Sequence, residues 1–137
     1  MAAITVTATG VIPGTTAQYA QGRAGGTITA GQALYLDANG KLQVATNATL
    51  LGAACVGVAL NGGAVNQVID YVSKGQYTAG ATLVLGQPYY IGTAGGIIPV
   101  DDIAGGEYMT IIGHAISTTV INVKIDQSAV TKTGAIA

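Results

Sequence analysis

The hexapeptide Gly31-Gln32-Ala33-Leu34-Tyr35-Leu36 returns 55 positions later as Gly86-Gln87-Pro88-Tyr89-Tyr90-Ile91. Downstream, Asn39-Gly40-Lys41-Leu42 falls on Ala94-Gly95-Gly96-Ile97 at the same offset. Val56-Gly57-Val58-Ala59-Leu60 falls on Ile112-Gly113-His114-Ala115-Ile116 one position later, and Thr29-Ala30-Gly31 has an echo in Thr78-Ala79-Gly80. Two copies are too few for a solenoid, in which each unit leans only on its neighbours. The repeat therefore predicts two similar modules, about 27–75 and 78–126, sharing one core within a single domain of residues 27–137 that ends in a short tail.

Each module reads as strands. Ala33 to Leu36 precedes the turn Asp37-Ala38-Asn39-Gly40 and a return strand Lys41 to Val44, and Asn-Gly supplies the positive φ that tight hairpins require. A link of about ten residues leads to Cys55 to Leu60, the turn Asn61-Gly62-Gly63 and an alternating strand Gln67 to Val72. The second copy predicts strands at Tyr89 to Ile91, Ile97 to Val100, Tyr108 to Ile116 and Val120 to Ile125, with Thr82 to Leu85 leading in. β-Branched residues and Gly interrupt every candidate helix, leaving room for one turn only at Thr46 to Leu51 and Asp101 to Ala104. The expected fold is all-β: an antiparallel barrel or sandwich of two duplicated β modules.

Residues 1–26 have no counterpart in the repeat. Ile4, Val6 and Ala8 alternate with Thr5, Thr7 and Thr9 before Pro13-Gly14 and the run Gly22-Arg23-Ala24-Gly25-Gly26 break the pattern. This predicts an extended N-terminal arm able to add a strand to a neighbouring sheet, with a frayed terminus as the plainer alternative.

The filling of such a core is unusual. In 137 residues there is no Trp and no Phe, while Gly numbers 21. A large aromatic buries about 150–250 Å² and only Tyr is present, so part of the stability is expected from contacts between subunits or with a partner. Charged residues are 8% of the chain, with five cations against six acids. Arg23, Lys41, Lys74, Lys124 and Lys132 form no stripe in sequence, so no nucleic-acid partner is expected. Met1 to Thr7 has no basic segment before an apolar core and does not read as a signal peptide. The most apolar run, Leu50 to Leu60, is about half the length of a membrane-spanning helix, so no membrane partner is expected either.

Candidate chemistry is sparse. Cys55 is the single cysteine and lies in an apolar strand pattern, where a buried thiol is the usual occupant. His114 is the single histidine, stands where the first copy has Val58, and has no orienting carboxylate nearby, which predicts a core or barrel-mouth side chain. Asp101-Asp102, with Glu107 as the nearest further acid, is too small a set for a calcium site. No phosphate-binding, dinucleotide, nucleophile-elbow or paired-cysteine pattern occurs, so neither enzyme nor cofactor is expected. Asn47-Ala48-Thr49 satisfies the N-glycosylation rule by accident if no secretory route exists. Seven tyrosines suggest either the rim of a core without larger aromatics or, less simply, a carbohydrate platform.

At Gly31 to Leu36, Val56 to Leu60, Gly95-Gly96-Ile97-Ile98-Pro99-Val100 and Ile112 to Ile116, the chain resembles the small capsid decoration or cement proteins of tailed bacteriophages, a likeness spanning residues 27–125. The resemblance implies a protein without an active site, a β-barrel or β-sandwich on the outer capsid surface of the virion, often trimeric, bridging capsomers. The expected partners are the major capsid protein and further copies of itself. The arm residues Ile4, Val6, Val11, Ile12, Tyr19 and Arg23 are the expected contact residues. The long arm is a departure from that pattern and leaves the base of a head or tail fibre, or a host-surface adhesin, as the alternative. An enzyme or small-ligand carrier using Asp101, Asp102 and His114 is a third reading.

Overall fold

The computed structural model describes residues 11–14, 16–92, 95–99, 103 and 106–131. Among the described residues there are ten strands: β1 (Val11–Pro13), β2 (Gln18–Arg23), β3 (Ala33–Leu36), β4 (Leu42–Val44), β5 (Cys55–Ala59), β6 (Val68–Ala79), β7 (Pro88–Ile91), β8 (Ile97–Ile98), β9 (Tyr108–Ala115) and β10 (Val120–Thr131). No α-helix occurs among the described residues, and the strand pairings are antiparallel. They form one sheet in the order β4-β3-β5-β6-β10-β9-β7-β8, curled into a half-barrel, with β1 and β2 both on β6. Thr82 to Leu85, expected as a strand, is irregular, because Leu83 N–H donates to Thr118 O in a loop and no ladder forms.

The pairings of the two halves correspond residue by residue. β3 meets β5 as Ala33↔Val58, Leu34↔Gly57 and Tyr35↔Cys55, with a register shift between Leu34 and Tyr35. β7 meets β9 as Pro88↔His114, Tyr89↔Gly113 and Tyr90↔Ile111, with the shift between Tyr89 and Tyr90. Leu36↔Leu42 likewise matches Ile91↔Ile97. Loop bonds follow the same rule: Gly31 N–H donates to Ala59 O and Gly86 N–H to Ala115 O, both at 2.8 Å. The sheet order reads alike from both ends because each half lays its four strands in one pattern.

Two strands are much longer than expected. β6 runs from Val68 to Ala79 without a break, so no linker separates the halves at 75–78. Its first part pairs β5 and its last part pairs β10. The switch falls at Gly75, whose φ of 98° bends the strand and whose missing side chain admits the backbone of Thr16.

The expected arm is corrected by β1 and β2. Val11↔Ala79 to Pro13↔Tyr77 places β1 on the end of β6, and Tyr19↔Val72 to Arg23↔Val68 places β2 along its beginning. Beyond β2, a parallel bridge joins Ala24 to Leu42 and Gly25 N–H donates to Leu42 O, bringing the chain back onto β4. Ala24 is fully buried. Val11–Pro13 and Gln18–Arg23 are thus sheet and not arm, because β6 would otherwise present an unpaired edge along its whole length. Residues 1–10 lie outside the described residues.

Two clusters of small aliphatic side chains and tyrosines fill the interior. Leu34, Leu42, Ala59, Ile69, Tyr71, Ala24 and Ile28 form one inside the first half. The other joins Tyr89, Ile91, Ile97, Ile112, Ala115 and Ile121 of the second half to Ala33, Val58, Val72 and Cys55 of the first. The first half is therefore buried on both faces and the second on one. The corresponding positions Pro88, His114 and Asn122 lie on the open face, which is why His114 is exposed while Val58 is buried; of the core or barrel-mouth placement expected for His114, the core alternative is corrected.

Cys55 is buried, its thiol donates to Gly57 O, and burial pushes its pKa up to about 11. A two-unit rise lowers the thiolate fraction about a hundredfold. Native protein is expected to resist a thiol reagent at pH 8 and to react at once when unfolded, which titration of the released chromophore measures.

Candidate interaction surface

One row of side chains crosses the open face of the sheet at its β1 end. Ile12 pairs with Thr78, Thr78 with Val120, and Ile116 N–H donates to Val120 O, so the four residues stand side by side across β1, β6, β10 and the turn after β9. Their neighbours in each strand, Val11, Tyr77, Ile121 and Ala115, point into the core. Ile12 is 55% exposed, and Ile116 38%. Leu85, 66% exposed, extends the patch through Gly86, whose N–H donates to Ala115 O. The next row inward is polar over Gln76, Asn122 and His114, aligned across β6, β10 and β9, and ends on Pro88 of β7.

A groove opens on the other side of β6. Gln21 pairs with Asp70 in the ladder, and its Nε2 donates to Asp70 Oδ1 at 2.6 Å. Asn61 in the β5–β6 turn accepts from Asp70 N–H at 2.7 Å and donates to Val68 O at 3.1 Å. With Tyr19, Leu60 and Pro13 these residues line an open cavity of about 660 Å³. Tyr19 is 57% exposed; of the other tyrosines Tyr71, Tyr77 and Tyr89 are buried and the rest are half-buried.

The expected contact residues are not brought into one patch. Ile4 and Val6 lie outside the described residues. Val11 is buried against the core, so the outward-facing role expected of it is corrected: its alternation with Ile12 turns it to the other face. Ile12 lies in the apolar row and Tyr19 in the groove. Arg23 stands at the far end of β2, where its Nη1 donates to Asn66 O and Lys41 Nζ to Asn66 Oδ1. Two cations distant in sequence thus meet at one residue, a contact that spacing along the chain did not reveal.

Sites for bond-making chemistry find little support in the geometry. Among the described residues no three of His, Cys, Asp and Glu gather as metal ligands. Asp101 and Asp102 lie outside the described residues. Asn47 is 1% exposed, so the glycosylation sequence is closed to a glycosyltransferase in the folded chain. Its side-chain amide and the Tyr77 hydroxyl are buried with no hydrogen-bond partner among the described residues, and burial pushes the Tyr77 pKa up. The chain matches no protein-family model and no curated protein.

Sequence reasoning missed Gln21, Asn61 and Asp70. A signal existed: at the offsets of the sheet pairing, Asn61 and Asp70 fall on Ser117 and Val120, so the first copy departs from the second toward amide and carboxylate.

Proposed function

We propose that the chain is a virion structural protein that binds the outside of a bacteriophage capsid as a decoration or cement protein and associates with copies of itself, a trimer being favoured. The observation that carries this reading is the Ile12, Val120 and Ile116 row with Leu85 beside it. An exposed apolar patch rimmed by polar residues is the usual mark of a protein-binding surface, and here Ile12 and Val120 stand on strands either side of Thr78 while Ile116 and Leu85 extend the patch from turns. A core with no Trp or Phe, whose only aromatics are tyrosines, adds support, since such a domain gains from surface buried on assembly. The resemblance of the repeated segments to cement proteins supplies the class of partner.

Purified protein mixed with undecorated capsids is expected to decorate them, as seen by electron microscopy. Ile12→Asp is expected to weaken decoration at least tenfold while leaving the melting temperature within about 2 °C, because the side chain is outside the core. Binding to cells with none to capsids would turn the reading toward an adhesin. With charged residues at 8% of the chain, the association constant is expected to change by less than about threefold between about 0.1 and 1 M salt. A tenfold fall on doubling the salt would make the contact electrostatic.

A further inference from the structure

We propose that the groove between β2 and the β5–β6 turn binds a neutral carbohydrate, with Tyr19 as its stacking platform and the Gln21–Asp70 pair as its hydroxyl acceptor. The inference stands independently of capsid binding, since the groove uses none of the apolar row.

Tyr19 presents a rigid ring that costs little side-chain entropy to fix and offers an apolar face to the C–H face of a pyranose. Its exposure is out of keeping with the other six tyrosines, which cover or fill the core of a chain short of aromatics. Beside it, Gln21 Nε2 is spent on Asp70 Oδ1, and both ends of the Asn61 amide are spent on the backbone. What remains for a ligand is Asp70 Oδ2 and Gln21 Oε1, which carry no partner among the described residues. Both accept, so the ligand must donate; adjacent hydroxyl groups do so, whereas phosphate or a sugar acid would meet a carboxylate. The bonds that use up Nε2 and the Asn61 amide also hold the acceptors in place before a ligand arrives.

The repeat demands a side-chain acceptor at Asn61, a part Ser117 Oγ takes for Val120 N–H in the second half, but not Tyr19, Gln21 or Asp70. In the second half the end of β6 pairs β10 as β2 pairs the start of β6, but it carries Gln76 and Thr78 where β2 carries Tyr19 and Gln21, and Ser117 and Val120 stand at the positions of Asn61 and Asp70. The groove is open because the second half covers Val58 and Val72 of this face but stops short of Asp70 and Gln21. Its volume of about 660 Å³ falls within the range of small-molecule sites, about 300–1,000 Å³.

The test uses the whole chain, uniformly labelled, titrated with the methyl glycosides of glucose, galactose, mannose and N-acetylglucosamine while amide shifts are followed. At least one is expected to shift the Tyr19, Gln21, Asn61 and Asp70 amides saturably in the millimolar range, the strength suited to so few contacts. Tyr19→Ala is expected to weaken that binding at least tenfold with an unchanged melting temperature, and Asp70→Asn to weaken it severalfold. Absence of saturable shifts with all four glycosides, or binding undiminished in Tyr19→Ala, would overturn the proposal. Shifts produced by lysine methyl ester and by none of the glycosides would also overturn it and make the groove a seat for a partner's cation.

Discussion

Removal of residues 1–26 is expected to abolish cooperative folding. A detached arm would leave such a truncation intact, but β2 follows β6 from Val68 to Lys74 and β1 follows it from Tyr77 to Ala79. Without them β6 has a bare edge over its whole length, Ile69, Tyr71 and Tyr77 lose the backbone that flanks them, and Leu42 loses the chain bridged to it at Ala24. Domains of this size hold about 5–15 kcal/mol in all. The loss of two paired strands together with buried Val11 and Ala24 exceeds what such a margin absorbs. Circular dichroism should show no cooperative melt, and the amide spectrum should lose its dispersion. A truncated chain melting within a few degrees of the intact one would show that the β1 and β2 pairings contribute nothing to the fold.

Gly57→Ala and Gly113→Ala are expected to be strongly destabilising, and to be damaging in the same way. A Cβ at Gly57 would collide with the carbonyl oxygen of Val72, and one at Gly113 with that of Asn122. In each half the glycine lies beside the register shift where β5 or β9 crosses close over the next strand. The obstacle is backbone in a ladder, so relief requires moving a strand and not a rotamer. Overpacking of this kind costs about 1–3 kcal/mol and more where backbone must shift, or a fall in melting temperature of roughly 5–15 °C for each variant. Gly40→Ala is a useful contrast, since nothing lies within 4 Å of the Cβ it would carry and only the positive φ opposes it. A pair of melting curves at Gly57 and Gly113 no different from that of Gly40→Ala would refute the close-approach account.

Much of the first half was legible locally. Asp37-Ala38-Asn39-Gly40 forms the expected turn because Asp37 Oδ1 accepts from Asn39 and Lys41 N–H while Gly40 takes φ 76°. Oδ2 accepts from Gln43 Nε2, and these bonds, that from Gln43 foremost, hold the Asp37 carboxyl below its usual range. The strands from Ala33, Leu42, Cys55 and Tyr108 begin within a residue of their expected positions because period-two patterning and turn residues act over short distances. The candidate site was less legible: Ile12 and Tyr19 were singled out as members of an arm, whereas one stands in a sheet row and the other in a groove whose polar partners come from β5 and β6.

The sequence by itself determined that this chain is β throughout, where most of its turns fall, and which offsets relate one half to the other. These follow from β-branched and glycine content, from alternation, and from repeated words, all properties that adjacent residues carry. Only the tertiary structure decided that Val11–Pro13 and Gln18–Arg23 are sheet, that β6 serves both halves, and that His114 is exposed where Val58 is buried. Those outcomes depend on which faces meet: the second half covers the outer face of the first, none of the described residues covers its own, and β6 needs a neighbour on both edges. No local pattern encodes such a choice, because like registers in the two halves place like positions on faces with opposite surroundings.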